Sequence, residues 1–171
     1  MNVPSSEEII RHLGLQPLPD EGGWYVQSYV SGEILQKNRL PSRYGGDRPF
    51  ATVIYYLLTA DADSFSALHK LKTDEVWHFY LGSPAELLLL YPDGSGTTVI
   101  LGDDVLGGQQ LQQYVPKGVW QGCRTVGPNY SLMGTTMAPG FHPDDFTLAD
   151  RQQLTAGYPE FSRQIASLTR A

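Results

Sequence analysis

The sequence predicts a single all-β domain, a sandwich or barrel of short antiparallel strands. Its apolar residues gather in short runs, the length of strands rather than of helices. Turn chemistry separates these runs every 8–12 residues or so. The strand–helix–strand alternation of a parallel α/β sheet is missing. With 18 glycines and 12 prolines in 171 residues, punctuation is plentiful, and it falls between the runs.

The opening segment reads as a short helix. Ser5 and Glu8 have capping-box spacing, and Ile9, Ile10 and Leu13 form an apolar stripe that Gly14 ends. The strand candidates then follow as Trp24–Val30, Ala51–Thr59, Ser64–Leu71, Glu75–Leu81, Ala85–Tyr91, Thr97–Leu101, Gln109–Val115, Val119–Thr125 and Tyr130–Met137. Ser31–Arg48 is polar and glycine-bearing and reads as a long loop or hairpin. Pro92-Asp93-Gly94-Ser95-Gly96 is a turn by composition. After Phe146 the pattern changes, and Leu148–Thr155 and Phe161–Leu168 read as two short helices split by Gly157 and Pro159.

Residues 1–171 are enough for one domain with a real core, and two independent cores would be crowded. Hydrophobic residues at 41% against 18% charged give a globular balance. The net charge of −6, with no lysine- or arginine-rich run, argues against a nucleic-acid partner and against an anionic membrane surface. One cysteine, Cys123, cannot form an intrachain disulfide. The N-terminal residues lack the basic-then-apolar order of a signal peptide, and the longest apolar run is too short to span a bilayer. The expected setting is cytoplasmic.

The chemistry is expected in the stretch Phe65–Gly82. His69 ends one strand, a tight turn follows, and Glu75 starts the next. In a hairpin, both side chains reach the same end of one face. Period-two alternation puts Glu75, Trp77 and Phe79 on one side of the second strand and Val76, His78 and Tyr80 on the other.

These residues resemble the first motif of the cupin superfamily. His69 takes its first histidine, Glu75 its glutamate and Gly82 its closing glycine, while Leu71 stands at the second histidine. Pro116-Lys117-Gly118 is similar to the centre of the second motif, with Gln121 at its histidine and Thr125 at its asparagine. Four runs, Glu21-Gly22-Gly23-Trp24-Tyr25, Asp74–Phe79, Val115–Gln121 and Ala138-Pro139-Gly140-Phe141, together resemble a small cupin family of uncharacterised function, the fifth cupin family. The resemblance implies a double-stranded β-helix, a jelly-roll barrel, commonly homodimeric and with a pocket at its mouth. Trp24–Val30 is the strand expected to pair across subunits.

Catalytic cupins hold a divalent metal with three histidines and a glutamate. Here a weakly bound ion would have His69, Glu75 and Gln121, a poor set for zinc, iron or copper. Without metal, a histidine beside a carboxylate is the arrangement of a general base. The resemblance then implies a sugar or sugar-nucleotide isomerase or epimerase with His69 as base, Glu75 as its partner and Gln121 as a polar anchor. A non-catalytic cupin that captures a small polar, sugar-like molecule is the alternative, as is a His69–Glu75 pair that only sets register. Trp77 and Phe79 are expected to wall the pocket or fill the core, and Cys123, which alternates with Gln121, to face the cavity. Pro139–Asp145 reads as a rigid turn over the barrel.

Overall fold

A computed structural model describes residues 4–170. Helix α1 (Ser6–Leu13) is followed by β1 (Gln16–Pro17), β2 (Trp24–Val30), β3 (Ile34–Leu35), β4 (Arg48–Pro49), β5 (Thr52–Leu58), β6 (Phe65–Leu71), β7 (Glu75–Gly82) and β8 (Ala85–Leu90). Then come β9 (Gly96–Leu101), β10 (Gln112–Val115), β11 (Trp120–Thr125), β12 (Ser131–Met137), β13 (Phe146–Leu148), α2 (Arg151–Gly157) and α3 (Ser162–Ser167). One sheet has the order β1-β2-β5-β12-β7-β10 and the other β13-β6-β11-β8-β9, with antiparallel pairing throughout both. From β5 to β8 and again from β10 to β12, successive strands switch sheets, which winds the chain into a jelly roll.

Strand β8 shows why the sequence folds this way. Ala85, Leu87 and Leu89 point into the inter-sheet core with Trp77, Phe79 and Met133. Leu88 and Leu90 point outward, against Leu154 of α2 and Ile165 of α3. Both faces are covered, so the strand reads as an unbroken apolar run rather than an alternation. Helix α1 covers the opposite sheet, its Ile9, Ile10 and Leu13 packing on Leu57 and Leu132. Its capping box forms as the sequence predicts, with Glu8 N–H donating to Ser5 Oγ and Ser5 N–H to Glu8 Oε2. Among the described residues no helix is long and apolar enough to cross a membrane.

Two expected helices are corrected, and the loop or hairpin expected at Ser31–Arg48 takes a definite form. Leu148 is not helical: it pairs with His69 in β13, and the helix starts only at Arg151, where Asp150 caps it by accepting from Gln153 N–H. The final helix begins at Ser162, after a 3₁₀ turn at Pro159–Phe161. Within Ser31–Arg48 lies a 3₁₀ turn at Lys37–Arg39, and β3 pairs with β4 as a two-stranded ribbon.

That ribbon is anchored from inside. Arg48 and Asp145 form a bidentate pair, Nε to Oδ2 at 2.6 Å and Nη2 to Oδ1 at 2.7 Å, with both side chains fully buried. Hydrogen bonding to Asp145 raises the guanidinium pKa despite its burial. The pair ties β4 to the turn that delivers Phe146, and so to the barrel mouth.

Candidate active site

His69 and Glu75 do not sit in one hairpin. Strands β6 and β7 belong to opposite sheets, and the two side chains converge across the interior from facing walls. Both line one cavity of about 200 Å³. Tyr25, Ile54, Tyr56, Trp77, Met137, Phe141 and Phe146 give it an apolar lining, with Glu21, Gln27, Thr52 and Thr135 among its polar groups. At roughly 30 Å³ per water this is space for six or seven waters, about the size of one sugar ring.

A β-bulge orients His69. Gln121 of β11 pairs with His69 and Cys123 with Ser66, so β6 carries one residue more than its partner between these points. The extra residue turns the Ala67 backbone out of the ladder. Its N–H donates to the Glu21 carbonyl at 2.8 Å, and its carbonyl lies 2.8 Å from His69 Nδ1. A carbonyl only accepts, so Nδ1 carries the proton of the neutral ring and Nε2 keeps its lone pair. Among the described residues Nε2 has no hydrogen-bond partner. Phe146 stacks on the imidazole, 5.0 Å between ring centres, and fixes its plane.

Glu75 is held by a relay of buried groups. Trp77 Nε1–H donates to Gln121 Oε1 at 2.7 Å, and Gln121 Nε2–H donates to Glu75 Oε2 at 2.7 Å. An indole can only donate, which sets the orientation of the amide. Burial holds the Glu75 pKa above the usual carboxylate range; the charge of Glu21 adds to the rise, while His69, Thr135 and Gln121 oppose it.

Glu21 is a site residue that the motif reading missed. Its Oε1 lies 4.0 Å from His69 Nδ1 and accepts from Ser66 Oγ at 2.7 Å. Two glycines bring it there. Gly22 has φ +100°, and a Cβ on it would lie 2.5 Å from the Phe65 carbonyl oxygen; Gly23 has φ +69°, and its Cβ would lie 2.9 Å from the Tyr56 hydroxyl. That hydroxyl donates to the Gly22 carbonyl at 2.8 Å and pins the turn. The signal was present in the Glu-Gly-Gly-Trp run, which asks for a tight turn immediately after an acid.

The remaining expected site residues separate. Trp77 walls the cavity, edge-on to Tyr56 at 5.9 Å. Phe79 shares its face but lies deeper, in the sealed core, and does not line the cavity. Cys123 is fully buried in that core, where burial pushes its thiol pKa far above the ordinary range and leaves it unfit as a nucleophile. His78 lies away from the cavity, bonded to Thr136 and Gln112, and burial lowers its pKa. The turn after β12 does reach the mouth, with Phe141 lining the cavity and its N–H donating to Thr52 Oγ1.

These donors do not fit a divalent metal. The wall offers a single imidazole, Leu71 lines the cavity where the family's second histidine would stand, and the Gln121 carbonyl oxygen is taken by Trp77. Among the described residues no three histidine, cysteine, aspartate or glutamate side chains are grouped to hold an ion.

Fold and site define a class: a double-stranded β-helix barrel with a small cavity at its mouth. The chain belongs to the cupin superfamily family Cupin_5 (DUF985), whose family model matches residues 7–149. It is similar to the uncharacterized protein YML079W of Saccharomyces cerevisiae, 28% identical over 161 residues that cover 86% of this chain and 78% of that one. Among solved structures it resembles protein SO0799 from Shewanella oneidensis, with 33% identity, a TM-score of 0.85 and coverage of 98% and 99% of the two chains. A hypothetical protein from Leishmania major is 29% identical with a TM-score of 0.87, covering 98% of this chain and 100% of that one.

Proposed function

We propose that the protein is a metal-independent isomerase or epimerase of a sugar-like or sugar-nucleotide substrate, with His69 as its base. The observation that carries this is the unpartnered His69 Nε2 at the cavity, with Nδ1 tied to the Ala67 carbonyl. Nε2 takes a proton from a carbon beside a carbonyl, and the electron pair moves onto that carbonyl oxygen. Return of the proton from the imidazolium regenerates the substrate; a solvent proton added to the opposite face gives the epimer, and the imidazolium then releases its own proton to solvent. Glu75 and Glu21 flank the ring, so positive charge that develops on it meets compensating charge in a site largely closed to water. A dTDP sugar isomerase from Desulfovibrio desulfuricans has the same fold, at 15% identity and a TM-score of 0.51, covering 71% of this chain and 85% of that one.

Incubation with sugar phosphates and sugar nucleotides in deuterated water tests the reading. Deuterium should enter one carbon-bound position of a substrate. A compound that stabilises the fold strongly yet stays unlabelled would instead support a binding module.

Glu75 gives a prediction in pH. A carboxyl whose folded pKa is raised contributes most stability below its unfolded pKa and loses that contribution as pH rises through the folded one. Glu75→Gln, which can still accept from Gln121, should therefore raise the melting temperature at neutral pH relative to the native chain. The gain should vanish toward pH 4 or so, where the unfolded carboxyl is protonated too. Thermal melts at several pH values check it; a loss of stability at neutral pH would contradict the assignment.

We also propose a homodimer. Among the described residues β1 covers only Trp24 and Tyr25 of the outer edge of β2, and Tyr29, Val30, Tyr80 and Tyr114 are exposed. Sedimentation at micromolar concentration should give twice the chain mass, and a clean monomer would overturn this.

A further inference from the structure

We infer that a cleft on the far side of Leu71 from the cavity, formed by Arg43, Lys70, Lys72 and Lys117, is a binding site for a phosphate group. The chain is acidic, at −6, and has four lysines in all. Three of them, separated by up to 47 positions in sequence, line this one cleft of about 270 Å³ together with Arg43 and Thr147. Leu71 lines both the cleft and the His69–Glu75 cavity. Lys70 and Thr147 are register partners on the outward side of the β6–β13 pair, so the cleft is a separate concavity.

The cations are held in place and only partly neutralised. Arg43 donates from Nε to the Lys72 carbonyl at 2.9 Å and from Nη2 to the Tyr44 hydroxyl, with its guanidinium 4.6 Å above the Tyr44 ring. Its Nη1 makes no hydrogen bond among the described residues. Lys70 Nζ rests 4.5 Å above the face of Trp120. Among the described residues two carboxylates pair with the group, and both are already engaged. Asp145 lies 3.8 Å from Lys72 Nζ but is bonded through both oxygens to Arg48. Asp74 lies 3.9 Å from Lys117 Nζ, and the same oxygen accepts the Lys117 backbone N–H at 2.8 Å.

Four cations therefore meet two carboxylates, one of which Arg48 balances, and positive charge is left over in a concave surface. The ammonium protons of Lys72 and Lys117 are beyond hydrogen-bonding distance of those oxygens. A tetrahedral oxyanion, with several acceptors for converging donors, is the complement of such a surface. A nucleic acid does not fit, since the charge is confined to one cleft rather than spread along a stripe.

The test is titration of the full chain with inorganic phosphate and with pyrophosphate, followed by amide shifts in ¹⁵N–¹H spectra. Lys72 and Lys117 side chains are 42% and 50% exposed, so Lys72→Gln/Lys117→Gln leaves the core intact. Saturable shifts should appear at Lys72, Gly118 and Thr147, with pyrophosphate binding more tightly than phosphate. Affinity should fall about tenfold or more in the double variant, as expected for the loss of charge-assisted hydrogen bonds, and stay unchanged in His69→Asn. Shifts that do not saturate, that cluster at Glu21 and His69 instead, or that persist unaltered in the double variant would overturn the inference. Because His69 is left out of the binding, failure here is distinct from failure of the proposed reaction.

Discussion

Substitution of His69 by asparagine should lower solvent-to-substrate deuterium exchange by about 10²–10⁴-fold, the usual contribution of a general base. Asparagine is the informative choice. Its amide N–H reaches the position of Nδ1 and can still donate to the Ala67 carbonyl, so the contact that orients the ring survives. What it cannot replace is the Nε2 lone pair. The variant should therefore keep its fold while losing its base. If the histidine served only to fix register, asparagine would change stability and leave any exchange in place. Proton NMR of the substrate, run beside a thermal melt of the same sample, separates the two.

The second large effect falls on stability. Asp145→Ala should cost about 3–5 kcal/mol, because it strands a fully buried guanidinium without its partner. Against a typical total of about 5–15 kcal/mol, this brings the chain close to unfolding at ambient temperature. Arg48→Met/Asp145→Leu should cost far less, since an apolar pair of similar volume removes the uncompensated charge. Denaturant titration of both variants checks the contrast. In Asp145→Ala the site should suffer too, because Phe146 follows directly and stacks on His69.

The barrel was legible because its signal is local. Trp24–Val30 is a strand end to end, and the run at Ala85 carries its double burial in its composition. The convergence of His69 with Glu75 was legible only through spacing, and for the wrong geometric reason. The turn between them crosses from one sheet to the other, which alternation along a strand cannot reveal. Alternation also places Ser66 and His69 on opposite faces, and the bulge at Ala67 puts both toward Glu21. Phe79 and Cys123 point inward as the period demands, but periodicity gives direction and not depth, and both lie beneath the cavity floor. Asp145 and Arg48 stand 97 residues apart, with nothing nearby in sequence to announce a pair. The phosphate cleft is hidden in the same way, as Arg43 and Lys117 meet Lys70 and Lys72 only after folding.

His69 lines the cavity, and among the described residues its Nε2 makes no hydrogen bond. Long-range ¹H–¹⁵N correlation of the imidazole nitrogens, assigned through loss of the signal in His69→Asn, reads this directly. At alkaline pH, with the ring neutral, Nδ1 should show the shift of a protonated nitrogen and Nε2 that of an unprotonated one. A ring with its proton on Nε2 would contradict the account, because the nitrogen facing the cavity would then be a donor and could not act as the base.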